Sequence, residues 1–225
     1  MTHPYRAGNR EHHIHQYLSM AGKPSHHEQG DGLGGLWQFI EGEREKALEL
    51  AASEGFKPEM GKWVALGFGG GRNVKTQTDL KTWPLEYYCQ LAASLAGEGY
   101  QIVWIGDVED AKKLGNPSMG VNLAGKLSVS DTAVILSMCE FVVANDTLIL
   151  HLAEVLKVRT IGIFGPTDPF HYRPLGKLSR YVWVGDQLAC SPCHQDGYFP
   201  PCRFDHRCMK ELTVDSVLTA IKEVQ

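Results

Sequence analysis

At 225 residues the chain is long enough to bury a full hydrophobic core without disulfide or metal staples. A formal net charge of -4 gives no basic field to draw in nucleic acid, and 21% charged residues suit a globular body rather than a disordered one. The chain holds no apolar run of membrane-spanning length, and its opening MTHPYRAGNREHHIH lacks the apolar core of a signal peptide, which points to the cytoplasm or the inner face of a membrane.

Residues 1–35 carry six of the ten histidines and the glycine-rich GDGLGG at 30–35. Their spacing matches no recognised metal-ligand pattern, so they read as a solvated polar arm with one short helix around Ile14–Met20, and no metal is expected. From Trp37 to Ser53 the pattern turns helical, with Trp37, Ile40, Ala47, Leu48 and Ala51 on one face and Gly55 as the stop. Strands and helices then alternate. WVALGF (63–68) predicts a strand. Pro84 opens a helix in which Leu85, Tyr88, Leu91, Ala92 and Leu95 recur at three-to-four spacing.

QIVWIG (101–106) is the next strand, followed by a helix over 108–114 and a brief extended piece at 121–125. Ser128 and Asp131 form a capping signal before an apolar helix. FVVAN (141–145), a helix over 147–156, TIGIF (160–164), YVWVG (181–185) and a last helix over 214–224 complete the pattern. Strands apolar on both faces and separated by helices predict an α/β, Rossmann-like parallel sheet with helices on both faces. Two units follow: a polar arm and connector helix over 1–60, and a sheet domain over 61–225.

Ligands of such sheets bind beyond the carboxyl ends of the strands, so the exits 67–83, 106–110, 125–128, 145–151 and 165–173 are the segments to read for chemistry. The exit GFGGGRNVKT (67–76) is glycine-rich, but Val74 stands where a P-loop needs glycine before Lys-Thr. A looser role remains, with Lys75, Thr76 and Lys81 as donors to an anion. At 145–151, a buried strand runs at once into a helix. Asn145 or Asp146 would cap it, its free N–H groups suit a diphosphate, and His151 lies one turn above Thr147. Gly165-Pro166-Thr167-Asp168-Pro169 reads either as a rigid turn with an Asx-type hydrogen bond or as a further wall of the same cleft.

Taken in order, Lys81-Thr82-Trp83-Pro84, Asn145-Asp146-Thr147 with His151, and Phe164-Gly165-Pro166-Thr167-Asp168-Pro169 resemble glycosyltransferase family 9, the heptosyltransferases of lipopolysaccharide core assembly. Leu123-Ala124-Gly125-Lys126-Leu127-Ser128 and the cysteine-rich segment strengthen the match, which runs from about residue 60 onward. The resemblance implies the C-terminal half of a two-domain GT-B fold, with ADP-heptose or another nucleotide-sugar as donor substrate and no cofactor. Carried over by position, Lys81 and Thr76 would contact phosphate, and Asp110 (or Glu109) the ribose. Leu127 would line the adenine pocket, and Asp146, Thr147 and His151 would face the diphosphate and sugar.

The family's N-terminal domain binds a lipid-linked saccharide acceptor and supplies the catalytic carboxylate. No catalytic residue is therefore assigned in this chain, whose length predicts that the N-terminal domain is absent or supplied by a separate chain. Peripheral association with the inner membrane fits such an acceptor. At the position after Asp-Thr the family has glycine and this chain has Leu148, whose side chain would crowd the sugar or diphosphate. A non-catalytic nucleotide-sugar-binding module or degenerate fragment is the alternative; an epimerase of related architecture and a P-loop NTPase rank below it.

Cys89 and Cys139 read as small core residues. Cys190, Cys193, Cys202 and Cys208 follow C-x2-C-x8-C-x5-C, open to zinc, two disulfides or four thiols. A reducing cytoplasm argues against disulfides, and the single C-x-x-C pair argues against a zinc ribbon.

Overall fold

A computed structural model describes residues 39–71, 78–194 and 198–224 of the chain. Six strands form one all-parallel sheet in the order β3-β2-β1-β4-β5-β6. They are β1 (Trp63–Gly67), β2 (Gln101–Ile105), β3 (Val121–Asn122), β4 (Phe141–Asn145), β5 (Arg159–Ile163) and β6 (Ser179–Val182). The helices are α1 (Glu43–Ser53), α2 (Leu85–Gly97), α3 (Val108–Leu114), α4 (Val129–Ser137), α5 (Leu148–Val155), α6 (Pro169–Tyr172), α7 (Arg207–Lys210) and α8 (Val214–Lys222).

Alternation along the strands builds a core on each face of the sheet. In β1, Val64 and Leu66 meet Tyr88, Leu91 and Leu95 of α2 and Val217 and Ile221 of α8. Trp63 and Ala65 face the other way, toward Ala51 of α1, Ala133 and Leu136 of α4, and Leu150 and Ala153 of α5. Every residue of β1 and β4 is buried, because helices cover both faces of the two central strands. The predicted α/β sheet with helices on both faces is thus the observed fold.

Several boundaries differ from the sequence reading. Ile40 is 70% exposed and precedes α1, which starts only after Gly42 at φ 80°. Cys89 is exposed, one position off the inward Tyr88–Leu91–Ala92–Leu95 stripe of α2, whereas Cys139 is buried. Strand β6 runs two residues earlier than expected, as a half-buried edge strand. Trp183 leaves it to donate its indole N–H to Gly165 O at 3.1 Å. The short helices α6 and α7 are additions to the predicted elements. The helix expected at Ile14–Met20, the histidine-rich arm and Trp37 lie outside the described residues.

Candidate donor-binding site

The strand order reverses between β1 and β4, and a crevice opens beyond their carboxyl ends. Asn145, the last residue of β4, is fully buried and ties the floor together. Its amide donates to Phe68 O (3.1 Å) and Gly69 O (2.9 Å), while its Oδ1 accepts from Trp83 N (3.2 Å). One buried side chain thereby fixes the exit of β1 and the segment carrying Lys81. Trp83 anchors that segment further, donating its indole N–H to Leu212 O at 2.8 Å.

Lys81 closes a short 3-10 helix (Thr78–Lys81), and its Nζ lies 2.7 Å from Asp146 Oδ2. His151 Nε2 stands 3.5 Å from the other oxygen, Oδ1. Asp146 is only 5% exposed. Burial alone would raise its pKa, but the contacts with His151 and Lys81 outweigh that and hold it at about 2. Asp146 is therefore an orienting anion for two basic groups and not a proton acceptor near neutral pH.

Neither Asn145 nor Asp146 caps the helix that follows. The N-cap of α5 is Thr147, whose side chain makes no capping hydrogen bond. Thr147 Oγ1 is buried and has no partner among the described residues. The helix thus begins with N–H groups that no side chain satisfies, at its positive dipole end, beside the Lys81 ammonium. Gly71, at φ 69°, brings the β1 exit close to Thr147: a Cβ there would stand 3.4 Å from Thr147 Cγ2.

A cavity of about 580 Å³ occupies this crevice. Gly69–Gly71, Lys81, Asp146 and Thr147 line its centre. Ile105, Val108, Leu127 and Val129 give the β2–β3 side an apolar wall, into which Asp110 brings a carboxylate. Asp110 is held by a capping box on α3: its Oδ2 accepts from Asp107 N at 2.9 Å, and Asp107 Oδ1 accepts from Asp110 N at 3.0 Å. A Cβ on Gly69 would overlap the Asp110 carboxylate, so only glycine lets the two exits meet. Glu109, the other acidic candidate, pairs with Lys112 at 2.7 Å and is not a lining residue.

Of the sequence-predicted site residues, Lys81, Asp110, Leu127, Asp146 and Thr147 line one cavity, and His151 touches it through Asp146. Thr76, with Lys75, lies outside the described residues. Leu148 stands on the cavity wall with 61% of its surface exposed. The turn at 165–169 is not part of the lining. Asp168 there makes the Asx-type bond, accepting from Phe170 N at 2.9 Å, while Pro166 O accepts from Cys193 N (2.9 Å) and His194 N (3.0 Å). This turn anchors the cysteine-rich segment and forms no wall.

That segment contributes a lining residue which the sequence reading missed, Phe199. An aromatic in a cysteine- and proline-rich stretch far from any strand exit carries no local signal of a site. The six cysteines are free thiols, and among the described residues no group of three or more His, Cys, Asp or Glu side chains is arranged to hold a metal ion. Burial, reinforced by the neighbouring thiols, pushes Cys193 up to about 11 and Cys208 to about 12, so neither is a thiolate at neutral pH.

An all-parallel sheet in this order, with a crevice at its switch point, defines a Rossmann-like domain. The family model described as Glycosyltransferase family 9 (heptosyltransferase) matches residues 71–199, and the chain belongs to that family. Lipopolysaccharide heptosyltransferase 2 of Escherichia coli is 27% identical over 160 residues, covering 65% of this chain and 43% of that protein. The chain thus spans less than half the length of this relative. The solved E. coli ADP-heptose LPS heptosyltransferase II superposes with a TM-score of 0.67 at 19% identity, covering 95% of this chain and 62% of its own. The E. coli heptosyltransferase WaaC solved with ADP gives 0.60 at 21% identity, covering 97% and 58%. At these identities the structural likeness speaks to the fold.

Proposed function

We propose that residues 61–225 form the donor-binding domain of a heptosyltransferase that takes ADP-heptose and transfers the sugar to a lipopolysaccharide-core type acceptor at the cytoplasmic face of the membrane. Residues 1–60 are then the connector toward the acceptor-binding part of the enzyme. The observation that carries this reading is the uncapped start of α5 beside Lys81, both lining a cavity at the switch point. That pairing suits a diphosphate, and the E. coli relative solved with ADP supports the choice of nucleotide. Asp110, at the apolar end, is set to accept from ribose hydroxyls, and Leu127 to cover the base.

In the transfer step, the acceptor hydroxyl attacks the anomeric carbon as the bond to the diphosphate breaks. Negative charge develops on the departing ADP, where Lys81 and the helix start stabilise it. The acceptor proton goes to a base outside this cavity. Each carboxylate among the lining residues is already engaged: Asp146 with Lys81 and His151, Asp107 and Asp110 with the start of α3. Among the described residues no helix is long and apolar enough to cross a membrane.

Calorimetric titration of the chain with ADP, UDP, GDP and ADP-heptose tests the reading. Saturable binding of ADP and ADP-heptose is expected, weakened about 10- to 100-fold by Lys81→Ala, the effect of removing one charged hydrogen bond. Absence of binding to any nucleotide, or a Lys81→Ala variant with wild-type affinity, would overturn it.

A further inference from the structure

We infer that Phe199 is a specificity-determining residue, the platform on which the glycosyl part of the donor rests. The inference builds on the reading of the cavity as an ADP-sugar site. Sheet order supplies the direction. Strands β3 and β2 lie on one side of the β1–β4 crevice, and β5 and β6 on the other. The apolar wall and Asp110 belong to the β2–β3 side, and the helix start and Lys81 to the centre. A nucleoside diphosphate laid across those two regions points its terminal group toward the β5 side. Phe199 arrives from there, on the segment that follows β6 and hangs from Pro166.

The ring is braced rather than loose. His194 packs against it with centroids 4.5 Å apart and planes inclined by 33°. Tyr172 OH lies 3.3 Å from His194 Nδ1, and the Tyr172 and His194 rings stand 5.6 Å apart edge to face. The Lys81 ammonium sits 5.4 Å from the Phe199 centroid, close enough for cation–π attraction. Lys81 thus contacts both the Asp146 carboxylate and an aromatic ring. A pyranose presents C–H groups on one face and hydroxyls on its rim, so an aromatic ring beside a cation and a carboxylate matches it. A nucleoside diphosphate without the sugar gains nothing from that ring.

The readout is the ratio of ADP-heptose to ADP affinity, measured by calorimetry on the full chain for wild type, Phe199→Ala, Phe199→Leu and Phe199→Tyr. Wild type is expected to favour ADP-heptose. Phe199→Ala and Phe199→Leu are expected to lower that ratio about three- to tenfold, the scale of an aromatic contact, and Phe199→Tyr to keep it. Because ADP serves as the control within each variant, a fold defect lowers both affinities and leaves the ratio standing. An unchanged ratio in the alanine and leucine variants overturns the inference. So does a wild type that binds ADP and ADP-heptose equally, although the nucleotide site then survives. A wild type that binds neither removes the donor-site reading itself.

Discussion

Asp146 shows how a single buried carboxylate organises a site through its partners. Its folded pKa of about 2 lies below the ordinary 3.8, so the pairing with Lys81 and His151 stabilises the protein fully above about pH 4. That stability is lost as pH falls toward 2, and the shift corresponds to about 2 kcal/mol. Asp146→Asn is expected to unfold about 2 kcal/mol more easily than wild type at pH 7 in urea titrations, with the gap closing between pH 4 and pH 2. A gap that stays constant across that range would place the stabilisation elsewhere. Lys81, Asp146 and His151 were legible because the strand-exit rule and helical spacing select them. Phe199 was not, because nothing within its own stretch of sequence relates it to Lys81. The role of Asn145 was half legible: a polar residue at a strand end reads as a cap, yet its three hydrogen bonds go to segments more than 60 residues away.

At the scale of elements, the helix starts divide the molecule's labour. Both α3 and α4 carry complete capping boxes, from Asp107 with Asp110 and from Ser128 with Asp131. The start of α5 has no side-chain cap and faces the cavity. A satisfied start contributes stability, whereas an unsatisfied one keeps its donors for a ligand. Ser128→Ala is expected to cost about 1 kcal/mol, read as a lower melting temperature. An unchanged melting temperature would mean that the box contributes no stability. The boxes were visible in sequence because their partners sit three residues apart. That Thr147, rather than Asn145, precedes the first turn of α5 depends on how far β4 extends. Pairing with β5 carries that strand through Asn145, which lies opposite Ile163.

Across the whole molecule, one sheet serves two cores, and the central strands belong to both. Phe141 of β4 is 1% exposed, in the core beneath α2 and α8, and Tyr100 packs edge-on to it at 5.4 Å. Phe141→Ala is expected to destabilise by about 3–5 kcal/mol in urea, with an unchanged slope if the two faces unfold together. Two separate transitions would show that the faces are independent units. The same sheet order decides which strand exits share a cavity. The exits of β1, β2 and β4, and the 125–132 segment beyond β3, converge there, and that of β5 does not.

The sequence by itself determined the alternation of strands and helices, the burial of both sheet faces, and the residues that leave β1, β2 and β4. Each is written in local periodicity or in hydrogen bonds between near neighbours. Tertiary structure alone decided that the 165–169 turn holds the cysteine-rich segment instead of walling the cleft, that Asp110 and not Glu109 faces the cavity, and that Phe199 stands beside Lys81. These are contacts between distant stretches of chain. Their partners are chosen by the order in which strands pair and by which backbones can approach closely, and one segment read alone does not carry that choice.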